Sequence, residues 1–254
     1  MKFSANLGFL WTDLPLPDAI RAAKAAGFDA VECHWPYDVP PGDVRAALDE
    51  TGLDMLGLNA RRGDVAAGDR GLTAIPGRED EARAAIDEAL AYAQAIGTLS
   101  VHVMSGVSGG PRARATYCEN LAYACDAAAV EGITILIEPI NHYDAPGYFL
   151  STSAQAADLI REVGRPNLKM MFDCFHIQIM EGDVCRRLEH LLPLVGHIQI
   201  AAVPDRGPPD HGELDYGHVL DQIGQLGWTR PIGAEYIPEG PTGNSLGWMT
   251  RYRG

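Results

Sequence analysis

The chain has 254 residues, of which 46% are hydrophobic, and its formal net charge is −14. Nucleic-acid binders usually carry a basic stripe, and none is visible, so binding of bulk DNA or RNA is disfavoured. The longest apolar runs are strand-sized, which argues against a membrane span, and no segment is polar enough to look disordered.

The start, Met1-Lys-Phe-Ser-Ala-Asn-Leu-Gly8, lacks the hydrophobic region of a signal peptide and reads as a first strand. A cytoplasmic location is the expectation. Further strand signals fall near 28–34, 54–59, 99–104, 133–138, 168–173, 196–201 and 231–235, the first covering about 3–9. Between them lie alanine-rich amphipathic segments at 15–26, 79–96, 112–130, 153–163 and 216–226, with a short last helix near 245–252. Glycines at 27, 52, 97, 132 and 227 stand where several helices should stop before the next strand. Eight strand-helix units without a Pro/Ser-rich linker predict an α/β fold, a single (β/α)8 TIM barrel domain over 1–254. An open doubly wound sheet would need a glycine fingerprint after the first strand, and Leu7-Gly-Phe-Leu-Trp11 offers none.

Longer loops are expected at 60–78, 139–152 and 202–215, all on the catalytic face of such a barrel. The five cysteines, Cys33, Cys118, Cys125, Cys174 and Cys185, are odd in number and form no CxxC pair. They read as reduced thiols, and Cys174, beside Asp173, reads as structural. Association into a homo-oligomer is left open.

Four side chains able to hold a hard cation sit near the ends of four successive apolar runs: Glu138, Asp173, Gln199 and Glu235, spaced 26 to 36 residues apart. That period suits a strand, a helix and two turns, so parallel strands bring the four to one site. An acidic residue in such a place can also cap a helix or pair with a cation, but four in series point to a metal. Three negative charges and an amide favour Mg2+ or Mn2+ over structural zinc. His176, three residues beyond Asp173, can face a substrate oxygen, as can His102 at the end of the fourth strand. Glu32, His34 and Asn59 have a weaker claim on the pocket, and His197 reads as core. Arg206, on a Gly/Pro-rich loop, suits capture of an anionic or polyhydroxylated substrate.

No GxSxG, Ser-His-Asp order or P-loop is present. A cation flanked by carboxylates suits proton abstraction beside a carbonyl, with Glu138 and Glu235 flanking the substrate as the acid/base pair.

Ile137-Glu-Pro-Ile-Asn-His142, Asp173-Cys-Phe-His176, Gly196-His-Ile-Gln-Ile-Ala201, the 206–216 loop and Gly233-Ala-Glu-Tyr236 resemble the hydroxypyruvate isomerase family. So do Gly63-Asp-Val-Ala-Ala-Gly-Asp-Arg-Gly71, Ile75-Pro-Gly-Arg-Glu79 and the terminal Trp248-Met and Tyr252-Arg253. The resemblance runs nearly the whole chain. It implies a xylose isomerase-like barrel with a divalent metal on Glu138, Asp173, Gln199 and Glu235. The two glutamates would be the proton-transfer pair, with His176 and Arg206 facing the substrate. The expected reaction interconverts hydroxypyruvate and tartronate semialdehyde, or a related short oxo-acid such as a 2- or 3-dehydrotetronate. A ketose 3-epimerase acting on neutral sugars is the second reading; that group generally has His where this chain has Gln199. An endonuclease IV-like phosphodiesterase is the third, and most of its His ligands are missing.

Overall fold

Alternating buried runs and alanine-rich segments become short parallel strands and covering helices in the computed structural model, which describes residues 1–253. In chain order they are β1 (Phe3–Asn6), α1 (Leu16–Ala25), β2 (Ala30–Glu32), α2 (Pro41–Thr51), β3 (Asp54–Met55), β4 (Leu58–Asn59) and α3 (Glu79–Ile96). Then come β5 (Ser100–His102), α4 (Gly110–Ala129), β6 (Thr134–Ile137), α5 (Ser153–Val163) and β7 (Leu168–Asp173). The chain ends with α6 (Cys174–Met180), α7 (Val184–Leu191), β8 (Val195–Ile200), α8 (Tyr216–Gln225), β9 (Ile232–Ala234) and α9 (Gly247–Tyr252).

Sheet order is β3-β2-β1-β9-β8-β7-β6-β5-β4, so the first and last strands are neighbours and every pairing is parallel. β3 and β4 are two halves of the strand expected over 54–59. That segment joins both flanks, since Leu56 N donates to Val31 O at 2.8 Å and Ala60 N donates to His102 O at 2.9 Å. The break has a local cause. The Ser100 hydroxyl donates to Leu56 O at 2.6 Å, and a Cβ on Gly57 would stand 3.0 Å from Ser100 Oγ. Counting the two halves once gives the eight staves of a TIM barrel.

β7 spans 168–173 as expected and β8 is shifted by one residue, while the other staves are shorter than expected. Regular pairing stops at Asn6, Glu32 and His102, and Glu138 and Glu235 each lie one residue beyond it. At the carboxyl rim of β1 the backbone turns back on itself, Phe9 N and Leu10 N both donating to Asn6 O, after a last cross-strand bond from Leu7 N to Glu32 O. α3 stops where expected, at Gly97 with φ 75. α5 begins where the Thr152 hydroxyl accepts from Gln155 N, an ordinary N-cap. Two helices, α6 and α7, follow β7 where none was marked. α6 starts because the Asp173 carboxylate caps it, Oδ1 accepting from Phe175 N at 2.9 Å.

At the first strand, Phe3 is fully buried edge-on to Trp248 of α9, with ring centroids 4.9 Å apart. Burying one such side chain stabilises by about 1.5–3 kcal/mol. The last helix is thereby pinned to the barrel, which leaves the opposite, carboxyl rim for the polar residues. Among the described residues no helix is long and apolar enough to cross a membrane.

Candidate active site

Three adjacent strands, β6 to β8, each deliver one buried oxygen that meets no hydrogen-bond donor. These are Glu138 Oε1, Asp173 Oδ2 and Gln199 Oε1. An orphaned buried oxygen costs about 1–3 kcal/mol, more if charged, so each of the three calls for a partner. The other atom of two of these groups is already committed. Asp173 Oδ1 caps α6, and Gln199 Nε2 donates to Glu32 Oε1 at 3.1 Å, which turns Oε1 the other way. Oxygen donors of this kind fit a hard divalent cation.

Glu138, Asp173 and His176 each offer one atom within 4.8 Å of the others. The hydrogen bonds give His176 a different part. Asn141 Oδ1 accepts from Tyr143 N and Asp144 N, so its amide nitrogen faces the ring, 2.7 Å from Nδ1. Asn141 N donates to the same Nδ1 at 3.3 Å. The neutral ring therefore carries its proton on Nε2, which lies 3.5 Å from Asp173 Oδ2 and 3.7 Å from Glu138 Oε1. A ligating imidazole normally donates from its other nitrogen, and here that nitrogen accepts, so His176 is a donor toward the site.

Glu235 is fully engaged. Oε1 accepts from Asn6 Nδ2 at 2.9 Å and lies 3.0 Å from His34 Nε2, while Oε2 accepts from Arg206 Nη2 at 2.8 Å. The same Nη2 is 3.8 Å from Asp173 Oδ2, and Nη1 donates to Asp144 Oδ2 at 2.9 Å. Arg206 itself is in the left-handed region, φ 56, where a non-glycine residue is strained. Backbone bonds on both sides hold it: its N donates to Ala202 O, and Ile237 N donates to its O. Its guanidinium lies 4.8 Å from the Phe9 ring centroid and 5.0 Å from that of Phe175.

Burial, then Glu235 and Asp173, push the Glu138 carboxyl well above the usual range. Burial followed by Glu235 raises Asp173 to about 7. Burial acts on Glu235 in the same direction, but Arg206 and His34 outweigh it and bring that carboxyl down to about 2. The two glutamates are thus pushed apart in acidity, the usual mark of an acid and a base. Burial lowers His102 to about 4, so its ring is neutral, and neither of its nitrogens has a partner.

Glu138, Glu235, His102, His176 and Arg206 all line one cavity of about 130 Å³ at the carboxyl rim. Gln199 lines a smaller adjoining one, which shares Asn59, His102 and Glu235 with the first. His197 is buried, as expected, while Glu32 and His34 have a larger part than the sequence suggests. Glu32 receives Asn6, His197 and Gln199 and so orients the amide, and His34 touches Glu235 directly. Asn6, Asn141 and Asp144 were not singled out at all. Asn6 is the last residue of β1, but Leu7, Phe9 and Leu10 follow it, so no end of an apolar run marks it in the sequence.

Buried carboxylates converging at the carboxyl ends of a closed parallel barrel define a TIM-barrel enzyme. A family model described as xylose isomerase-like TIM barrel matches residues 20–252. A 2-oxo-tetronate isomerase from Cupriavidus necator is 47% identical over 257 residues, covering 100% of this chain and 99% of that protein. The hydroxypyruvate isomerase of Escherichia coli is 37% identical, covering 100% of each. A crystal structure from Brucella melitensis, described as AP endonuclease, family 2, superimposes with a TM-score of 0.95 at 39% identity, covering 100% and 99% of the two chains. The chain belongs to the hydroxypyruvate isomerase family of xylose isomerase-like TIM barrels.

Proposed function

We propose that this enzyme of the isomerase type moves a proton between neighbouring carbons of a short 2-oxo acid, hydroxypyruvate or its four-carbon homologue. The three unpartnered oxygens beside two glutamates of opposed acidity carry the reading. Glu138, Asp173, Gln199 and Glu235 would hold a divalent cation such as Mg2+ or Mn2+, which when bound polarises the substrate carbonyl and hydroxyl oxygens. Glu235, kept ionised by Arg206 and His34, takes the proton from C3 of hydroxypyruvate. Glu138 returns a proton to C2 on the other side of the enediolate while the hydroxyl proton passes from the C3 oxygen to the C2 oxygen, giving tartronate semialdehyde. His176 Nε2 and His102 donate toward the substrate oxygens, and Arg206 lines the substrate's cavity while it fixes Glu235. A cavity of about 130 Å³ suits a three- or four-carbon substrate, since pockets for drug-sized ligands run to about 300–1,000 Å³.

The test is turnover of hydroxypyruvate, 2-oxo-tetronate and a ketohexose by the Mg2+- or Mn2+-loaded enzyme in deuterated water. Solvent deuterium at C2 of a turned-over oxo-acid supports the reading. Turnover of the ketohexose alone would replace it with the 3-epimerase, and cleavage of an abasic duplex would favour the phosphodiesterase.

A further inference from the structure

A 2-oxo acid brings a carboxylate, and the deep end of the cavity offers it carboxylates. Arg206 is the nearest cation there, but its two terminal nitrogens are taken by Asp144 and Glu235. Two other guanidiniums line the same cavity, those of Arg62 and Arg70. Among the described residues neither has a carboxylate within 4.0 Å. Their chain neighbours differ: Arg61 pairs with Glu88, and Arg78 with Asp69 and Glu81. In a chain of net charge −14, acidic partners are plentiful, so two unpaired arginines at one opening are not explained by scarcity.

The loop between them is built to bring them together. Gly71 N donates to Arg62 O at 3.0 Å, so the segment closes on itself and returns residue 70 beside residue 62. Asp69 anchors it from within, accepting from Arg78 Nη1 at 2.8 Å and from Asp64 N at 2.7 Å. Gly71 has φ 127, and a Cβ there would lie 2.5 Å from Met104 O, so this closure depends on glycine. Arg62 stacks 3.6 Å above the Trp35 ring, whose Nε1 is itself fixed on Ala60 O. Stacking uses the flat face of a guanidinium and leaves its N–H edge free for a planar acceptor. Burial, with Arg70 adding repulsion, lowers the Arg62 pKa, a cost that an arriving anion relieves.

We propose that Arg62 and Arg70 form a carboxylate subsite at the mouth of the cavity, holding the acid end of the 2-oxo acid while its hydroxycarbonyl end faces Glu138 and Glu235. The proposal rests on the oxo-acid reading above and names what separates such acids from neutral sugars of equal length. Hydroxypyruvate and its neutral counterpart dihydroxyacetone differ only in having a carboxylate or a hydroxymethyl group, so their ratio isolates the subsite.

The experiment compares the metal-loaded wild type with Arg62→Met, Arg62→Lys and Arg70→Met. It reads kcat and KM for hydroxypyruvate and dihydroxyacetone, with calorimetric binding of glycerate, an inert three-carbon hydroxy acid. Each methionine variant should raise KM for hydroxypyruvate by about 10- to 100-fold, the usual loss for a hydrogen bond to a charged group, with kcat little changed. Values for dihydroxyacetone should stay put, and glycerate affinity should fall in parallel. Arg62→Lys, which keeps the charge but not the fork, should fall between. Unchanged KM and glycerate affinity in the two methionine variants overturn the subsite. If the wild type binds glycerate through these arginines yet turns over no oxo-acid, the subsite stands and the assigned reaction falls.

Discussion

Around the carboxyl rim, the ends of β1 and β2 differ from the ends of β6 to β8. Asn6, Glu32 and His34 form a satisfied network: Asn6 donates to Glu32 and Glu235, its own Oδ1 accepts from Gly8 N, and Glu32 receives His197 and Gln199. Glu138, Asp173 and Gln199 are equally buried, yet each keeps an oxygen without a donor. Buried polar groups cost little when paired and a great deal when not, so the first set reads as scaffold and the second as the oxygens left for the proposed cation. Glu235 stands with the first set by this measure, one oxygen held by Asn6 and His34 and the other by Arg206.

The sharpest way to break that contrast is to remove one carboxylate from each side of the substrate. Glu138→Gln and Glu235→Gln should each lower kcat by about 10²- to 10⁴-fold, the usual weight of a positioned acid or base. Deuterium incorporation into unreacted hydroxypyruvate tells the two apart: it should survive Glu138→Gln in part and vanish with Glu235→Gln. Full activity in either variant removes that residue from the proton-transfer pair.

A change confined to the scaffold should act through the metal instead. Glu32→Gln keeps the shape but swaps an acceptor for a donor opposite Gln199 Nε2, which invites the amide to flip and turn its nitrogen toward the cation. The expected result is a loss of about 10- to 100-fold in Mn2+ affinity, measured by calorimetry or electron paramagnetic resonance. Unaltered affinity would mean that Gln199 is not oriented by Glu32, and the distinction between scaffold and ligand set would fail there.

The half with the unpartnered oxygens was legible in the sequence, because Glu138 and Asp173 close apolar runs and Gln199 lies near the end of one, all at the βα period. The scaffold half was not, since its bonds span the ring closure. Asn6 meets Glu235 across 229 positions and His197 meets Glu32 across 165, and nothing local marks such pairs. Arg206 was legible as a loop cation, but its partners Asp144 and Glu235 become visible only when three loops converge. The interruption of the strand over 54–59 depends on one hydroxyl from a neighbouring strand, Ser100, which periodicity cannot register.

The loop that carries Arg62 and Arg70 tests whether the mouth is as rigid as the rim beneath it. Gly71→Ala forces a side chain onto φ 127 and into Met104 O. The expected destabilisation is about 1–3 kcal/mol by urea unfolding, with KM for hydroxypyruvate raised more than kcat is lowered. A wild-type KM in this variant would show that the loop relaxes without moving its arginines.

The smallest expected effect compares two thiols, one beside each half's carboxylate. Cys33 follows Glu32 and Cys174 follows Asp173, and both are buried. Burial, then the adjacent carboxylate, pushes each thiol well above its ordinary pKa. Only the thiolate is nucleophilic, so neither should react with iodoacetamide at pH 8 in the folded protein. Cys118 and Cys185 are partly exposed, and mass spectrometry after brief labelling should find the adduct there first. Their rates should still be below that of a free cysteine, since burial raises both, Cys118 to about 11. Equal protection of Cys33 and Cys174 would mean that unpartnered oxygens do not loosen the backbone that bears them. Labelling of Cys174 at the rate of Cys118, with Cys33 still protected, would show instead that the ligand half opens where the scaffold half does not.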